Sequence, residues 1–175
     1  MKYNKELANL ENVKILGYEA DIKSIGETLD KVNSLKEENN DNGLIQLMDA
    51  KAIAGKKHLE HGIIHAIKSF ERGENLAKDL GIEILLRTSG QRQISKAFNI
   101  LGLKEGKMEI AIVMIDCLNE TVDSLNDIFI RNDAVLESDY SILKEIYDIE
   151  EKELSNIQMI DGILIDKTTK LIVDN

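Results

Sequence analysis

Five side chains suited to holding a phosphate or stacking on a base recur at steps of three and four residues. They are His58, His61, His65, Lys68 and Arg72. Positions with this spacing share one face of an α-helix. Apolar residues fall on the other face: Ala52, Leu59, Ile63, Ala66, Ile67 and Phe70. The pattern predicts an amphipathic helix with a cationic face, and it fits equally well the solvated side of a helix that binds no ligand.

Two of these histidines also have the spacing of a zinc-binding pair. His61 and His65 are four residues apart, which places both imidazoles on one side of a helix. Gly62 stands where zinc proteases with this pattern carry glutamate, and no third ligand lies nearby in the sequence. We therefore expect no metal and no other cofactor. A metal-dependent hydrolase that uses the two histidines is the less favoured alternative.

The segment 87–94 is the second one with binding chemistry. It reads Arg87-Thr88-Ser89-Gly90-Gln91-Arg92-Gln93-Ile94. Thr88 or Ser89 is suited to capping the start of a helix. Open backbone N–H groups beside Arg87 and Arg92 would then suit a phosphate. An ordinary capped helix is the alternative, and it would pack through Ile94, Ala97, Phe98 and Leu101.

Positive charge is concentrated in the middle of an otherwise acidic chain. The 175 residues carry a net charge of −10, and the pI is about 4.8. Residues 51–107 hold eleven Lys and Arg against six Asp and Glu, a net charge of +5, whereas the remainder carries −15. The overall charge argues against bulk binding of nucleic acid or anionic membranes, but the central stretch suits an anion at one place.

The apolar pattern predicts one α+β domain over residues 1–175, in which several helices pack on a small, mainly antiparallel sheet. Strands are expected at 13–18, 44–48 and 108–115, the last of them central. Helices are expected at 22–35, 49–72, 90–101, 120–131 and 139–148, with a helical turn at 76–80 and a further helix from about residue 150. Asp49 should cap the long helix and Gly73 should end it. Residues 36–43 should form a surface loop, while 82–86 and 163–173 fit strand or helix.

Several functional classes find no support in the sequence. It contains no Gly-Lys-Ser/Thr phosphate loop, no dinucleotide fingerprint and no recognisable nucleophile setting, so we expect a protein that is not an enzyme. No apolar run approaches the ~20 residues of a membrane span, and the N-terminus lacks the apolar stretch of a signal peptide. The single cysteine, Cys117, is predicted to be a buried thiol, which fits a reducing, cytoplasmic setting.

The two binding segments together resemble one family, the small accessory subunit of the KEOPS complex (the TPRKB family of kinase-binding proteins). Its block Glu-aliphatic-Leu…Ser-Gly-x-Arg-Gln-Ile-x-x-Ala is similar to residues 83–97. Further matches are Gly81, Gly102-Leu103, His65-Ala66 and Asn75-Leu76-Ala77. The best match covers about residues 50–116, and it departs from the family at Arg87, where many members have an aromatic residue.

The resemblance implies a function in tRNA modification. KEOPS makes the threonylcarbamoyl modification on the adenosine beside the anticodon of tRNAs that read codons starting with A, and other subunits carry out the chemistry. The family resembled here is non-catalytic: it binds the kinase/ATPase subunit and recruits tRNA through its single-stranded 3′ CCA end. The alternative is a protein–protein adaptor and kinase regulator that does not contact RNA.

The residues expected at the RNA combine both binding segments with their flanking cations. They are Lys56, Lys57, His58, His61, His65, Lys68, Arg72, Arg87, Ser89, Gly90, Arg92, Gln93 and Lys96. A single-stranded RNA end requires cations along its backbone and planar or apolar surfaces for its bases. Residues 139–160 are expected to contact a protein partner.

One acidic residue bears on self-association. The apolar stripe of Ile142, Ile146 and Ile149 would continue at position 153, where Glu153 stands. Either the stripe turns onto Leu154, or Glu153 interrupts a surface that would otherwise pair with a second copy. In the second case we expect a weak homodimer at most.

Overall fold

A four-stranded antiparallel sheet carries the architecture, with helices packed on both of its faces. The computed structural model describes residues 10–150 and 160–173. The strands are β1 (Val13–Ile22), β2 (Leu44–Asp49), β3 (Gly106–Ile115) and β4 (Ile130–Arg131). The helices are α1 (Ile25–Glu38), α2 (Lys56–Arg72), α3 (Leu80–Ser89), α4 (Ile94–Leu101), α5 (Asn119–Leu125), α6 (Tyr140–Ile146) and α7 (Ile160–Val173). The predicted α+β fold class is confirmed.

The central strand is β3, as predicted, in the order β2-β3-β1-β4. Residues 110–115 of β3 are all buried. Alternate side chains enter two different cores, Ile110, Ile112 and Met114 on one side and Ala111, Val113 and Ile115 on the other. A strand covered on both faces has a continuous apolar run instead of an alternating one, which is why the sequence indicates it clearly.

The two faces of the sheet are covered by different helices. Residues of α2, α3, α4, α6 and α7 build the larger core, and those of α1 and α5 build the smaller one. The residues between 56 and 96 that were expected to bind therefore lie on the side of the larger core. Within the described ranges, none of the helices is long and apolar enough to cross a membrane.

The long cationic helix begins later than predicted. Asp49 ends β2, and its carboxylate accepts a hydrogen bond of 3.0 Å from a backbone N–H of a short 3₁₀ turn, Ala50–Ala52. The helix α2 starts only at Lys56, after Gly55. Its predicted end is confirmed, because Gly73 follows it with a left-handed φ of 71°.

Two ambiguous segments are helical and one expected turn is not. Residues 82–86 lie inside α3, and 163–173 lie inside α7. The helical turn predicted at 76–80 is a loop, because Asp79 accepts a hydrogen bond from the backbone N–H of Ile82 and so begins α3 at Leu80.

The predicted helix at 120–131 is only half right. After α5 ends at Leu125 the chain turns, and Ile130 and Arg131 pair with β1 as the edge strand β4. The helix predicted at 139–148 is confirmed as α6, with Asp139 as its N-cap.

The polar segment at 36–43 is not simply a surface loop. The helix α1 continues to Glu38, and Asp41 is only 6% exposed. Its carboxylate accepts hydrogen bonds from the backbone of Gly43 and Leu118 and from the Thr121 hydroxyl. Burial raises the pKa of Asp41, but these hydrogen bonds outweigh it and leave the pKa below its ordinary value.

The cysteine is half-buried, not fully buried as predicted. The thiol of Cys117 donates a hydrogen bond of 3.1 Å to the carbonyl oxygen of Leu44. Burial raises the pKa of this thiol to about 11, so it is protonated at neutral pH and a poor nucleophile.

The helices α2 and α3 run antiparallel and are in close contact at a glycine. His58, near the start of α2, contacts Thr88 near the end of α3, whereas Ser69, near the end of α2, contacts Glu83 near the start of α3. At Gly62 an added Cβ would collide with the Thr88 hydroxyl and lie 3.0 Å from its Cα. Gly62, at the position where zinc proteases carry glutamate, is therefore needed for the close packing of α2 against α3.

We expect Gly62→Ala to lower the free energy of unfolding by about 1–3 kcal/mol, because the new methyl group forces the two helices apart. The matched control is Gly26→Ala in α1, where the nearest atom to an added Cβ is 3.9 Å away. That change should raise stability by about 0.5–1 kcal/mol, since alanine is the better helix former. Urea denaturation followed by circular dichroism measures both, and equal effects of the two variants would contradict the close helix contact.

Candidate functional site

The segment around Ser89 and Gly90 ends a helix and does not start one. Ser89 is the last residue of α3, and its hydroxyl donates back to the carbonyl oxygen of Leu85 at 2.7 Å. Gly90 follows with a left-handed φ of 66°, and its N–H donates to the carbonyl of Arg87. The predicted N-cap at Thr88 or Ser89 is therefore wrong, and no open helix start lies here for a phosphate.

The physical reason is that Thr88 and Ser89 belong to the buried inner face of α3. Both side chains are at most 2% exposed, and Thr88 lies against Gly62 of the neighbouring helix. A small polar residue before glycine fits the end of a helix as well as the start of one. The following helix, α4, begins only at Ile94, and its N-cap Gln93 makes no capping hydrogen bond with its side chain.

Arg87 belongs to a buried ion pair and not to an exposed binding site. Its Nε donates to Glu83 Oε1 at 2.7 Å, and the two side chains are 2% and 0% exposed. The same carboxylate accepts from Ser69 and from the backbone N–H groups of Leu76 and Ala77. The Glu83 carboxylate thus has four donors, which compensates for removing its charge from water.

His58 is also buried, in contrast to the predicted cationic stripe. Its Nδ1 accepts from the backbone N–H of Ala54 at 3.0 Å, and its Nε2 lies 2.8 Å from the carbonyl oxygen of Thr88. Helical rotation explains the error, because position 58 points almost in the direction of Gly62 and Ser69, which face α3. The predicted apolar face is confirmed at Leu59 and the three core residues that follow it on α2.

The other two histidines of the stripe are partly covered by neighbouring groups. The rings of His61 and His65 lie 4.2 Å apart, centre to centre, and are tilted by 59°. Burial, followed by the adjacent His61 ring and nearby cations, lowers the pKa of His65 to about 4. Burial and Lys68 also lower the pKa of His61, although Asp166 of α7 acts in the opposite direction. Both imidazoles are therefore neutral at pH 7 and add no positive charge.

A metal site would need more ligands than this pair. Among residues 10–150 and 160–173, no group of three or more His, Cys, Asp or Glu side chains is placed to hold a metal ion. The Nε2 of His61 is buried and has no hydrogen-bond partner in these ranges. Protonation would leave a buried N–H without an acceptor, which is a further reason for the neutral ring.

The remaining candidates are at or near the surface but do not form one patch. Lys56, Lys57 and Arg72 are exposed, yet they lie at opposite ends of α2, about 24 Å apart at 1.5 Å per residue. Lys68 is half-buried near the second end. Outside α2, the exposed candidates are Arg92, Gln93 and Lys96. Gly90 is half-exposed and lies against Lys167 of α7, where an added Cβ would be 3.1 Å from the Lys167 side chain.

Two apolar residues of α4 are exposed although the sequence pattern assigns them to the core. Ile94 and Phe98 each retain 44% of their accessible surface, whereas Ala97 and Leu101 on the same helix are fully buried. The expected packing of α4 is thus right for two of its four apolar residues. Periodicity could not have separated the pairs, because all four lie on the same half of the helix.

A cavity of about 890 Å³ lies elsewhere, beside the first residues of β1. Of the thirteen residues expected at the RNA, only Lys56 lines it. The surface formed by α4 and the residues just before it is therefore separate from this cavity.

Comparison with known proteins identifies relatives of the chain. A family model described as kinase binding protein CGI-121 matches residues 20–169. The chain is 41% identical over 63 residues to the regulatory protein Cgi121 of Methanocaldococcus jannaschii, an alignment that covers 36% of this chain and 41% of that protein. It is 33% identical over 88 residues to the KEOPS complex subunit Cgi121 of Pyrococcus abyssi, which covers 50% of this chain and 47% of that protein. The matched part thus spans less than half the length of either relative.

We expect Arg87→Ala to lower the free energy of unfolding by about 3–5 kcal/mol, because it leaves the Glu83 carboxylate buried without its cation. Lys96→Ala is the control, an exposed cation of the same central stretch whose loss should change stability by less than about 0.5 kcal/mol. Guanidinium denaturation measures both. If Arg87 instead acted on RNA, its replacement would reduce RNA affinity and leave stability unchanged.

Proposed function

The chain belongs to the CGI-121 family of kinase-binding proteins, and on that premise we propose that it is a non-catalytic subunit of the KEOPS complex. In this function it binds the kinase/ATPase subunit and recruits tRNA through its 3′ CCA end for threonylcarbamoyl modification. The observation that carries the proposal is the family match over residues 20–169. The names of two relatives, a regulatory protein and a KEOPS complex subunit, support a role beside a catalytic partner.

The distribution of exposed charge supports contact with RNA at one region. Several cations of the central stretch remain on the surface, while the rest of the chain has a net charge of −15. A polyanion is therefore attracted to this region and repelled elsewhere. That balance favours contact with a single-stranded end over contact along a duplex.

Fewer structural observations support the proposed protein contact at residues 139–160. Within α6 and the residues after it, Leu143, Tyr147 and Ile149 are buried, and the Tyr147 hydroxyl donates to the carbonyl oxygen of Ala52. Tyr140 is 42% exposed. The kinase contact on this segment stays a prediction, and Glu153 with its proposed effect on self-association lies outside the described residues.

We expect the protein to bind intact tRNA more tightly than tRNA that lacks its CCA end. Lys96→Glu should weaken binding of intact tRNA and lower its salt dependence, because one phosphate contact is replaced by a repulsion. The matched control is Lys31→Glu on α1, an exposed cation on the opposite face of the sheet, which should bind like the unmodified protein. Gel-shift titrations at two salt concentrations measure all of these.

The same titrations separate the alternatives. Equal affinity for tRNA with and without CCA would rule out recognition of the end. No affinity for either RNA, together with co-elution of the KEOPS kinase subunit in gel filtration, would favour the adaptor that does not contact RNA. Failure to co-elute with the kinase subunit would contradict the kinase-binding part of the proposal.

A further inference from the structure

We propose that Phe98 and Ile94 of α4 form the platform on which an unpaired base of the RNA rests. This inference depends on the proposed function and names the side chains that would receive the single-stranded end. Neither residue is among the thirteen expected from the sequence.

The first observation is the exposure of this pair. Seven large apolar side chains are exposed in the part of the chain that the structure describes. Only Ile94 and Phe98 lie one turn apart on a single helix, at the spacing that brings side chains side by side. Hydration of this apolar pair is unfavourable in free energy, and a flat apolar partner would release the water from its surface.

The second observation is that the helix carrying the platform is anchored in the protein core. Ala97 and Leu101, which lie beside this pair on the same half of α4, are buried in the larger core. Gly102, just after the helix, donates its N–H to the carbonyl oxygen of Phe98 at 2.8 Å. An added Cβ at Gly102 would be 3.2 Å from Phe98 Cδ1, so the ring lies against this glycine. A ring held in this way loses little conformational entropy when a base stacks on it.

The third observation is the chemistry beside the pair. Around the axis of α4, Phe98 lies about 40° from Ile94, and Ser95 and Asn99 follow at about 100° and 140°. Lys96 closes this exposed arc at about 200°. A hydroxyl and an amide next to an apolar platform can hydrogen-bond the edge of a base, and a cation at the border can contact a phosphate.

Local charge favours RNA over a basic or mixed protein surface as the occupant. Residues 84–104 contain no Asp or Glu, although the whole chain has 32 of them. Within this segment Arg87 pairs with Glu83 and Lys104 pairs with Asp49, while Lys96 is exposed on α4. The platform therefore lies in a sequence segment that carries no carboxylate of its own to repel a polyanion or to pair with a basic protein partner.

The test uses an RNA hairpin that ends in CCA, with 2-aminopurine in place of the terminal adenine. The unmodified protein should bind it and change the fluorescence of 2-aminopurine, because stacking alters that signal. Phe98→Leu keeps an apolar side chain and lacks the ring, and Phe98→Ala removes both. We expect affinity to fall roughly five- to a hundredfold in Phe98→Ala, less in Phe98→Leu, with the fluorescence change lost in both. Phe98→Trp, which keeps an aromatic ring, should bind the hairpin and change its fluorescence as the unmodified protein does.

The matched control is Tyr140→Ala, which removes an exposed aromatic side chain of similar accessibility from α6. It should leave affinity and fluorescence unchanged. Circular dichroism and urea denaturation of each variant show that the fold is retained, and Phe98→Leu keeps the test decisive if Phe98→Ala is unstable.

The outcomes distinguish this inference from the function on which it rests. If the unmodified protein does not bind the hairpin, the proposed RNA recruitment fails and the platform fails with it. If the unmodified protein binds and the Phe98 variants bind equally well, the platform alone is overturned. If the Phe98 variants still bind RNA but no longer co-elute with the kinase subunit, α4 is instead a docking surface for a protein.

Discussion

The buried carboxylate of Glu83 is the group on which the geometry of the candidate region depends. It accepts hydrogen bonds from Ser69 at the end of α2, from two backbone N–H groups of the connecting loop, and from Arg87 one turn later on α3. One anion therefore connects two antiparallel helices and the loop between them. The helix α4 follows after residues 90–93, so its position depends on that of α3. Because loss of Arg87 would leave the buried charge of Glu83 without its cation, the stability of this network depends on the ion pair.

This network also changes how the positive charge of residues 51–107 should be understood. Part of this positive charge neutralises buried carboxylates, because Arg87 forms an ion pair with Glu83 and Lys104 forms one with the mostly buried Asp49. The neutral imidazoles add nothing at pH 7. What remains for a ligand is a smaller set of cations on α2 and near α4, next to an apolar surface. Such a combination suits a short single strand better than a long charged duplex.

The sequence was most informative where burial is complete and least informative at polar residues near glycine. The strand β3 and the apolar face of α2 could be predicted because an uninterrupted or periodic apolar pattern has one structural meaning. Ser89-Gly90 could not, because the same two residues fit a helix start and a helix end. The contact of Thr88 with Gly62 decides between them, and that contact joins positions that are 26 residues apart.

The sequence by itself determined the fold class, the family resemblance and the region in which positive charge accumulates. It also determined which residues share a face of α2 and of α4. Only the tertiary structure decided which members of those faces are reachable: His58 is covered by α3, and Phe98 is left at the surface. The physical reason is that helical periodicity specifies the direction of a side chain but not what packs against it.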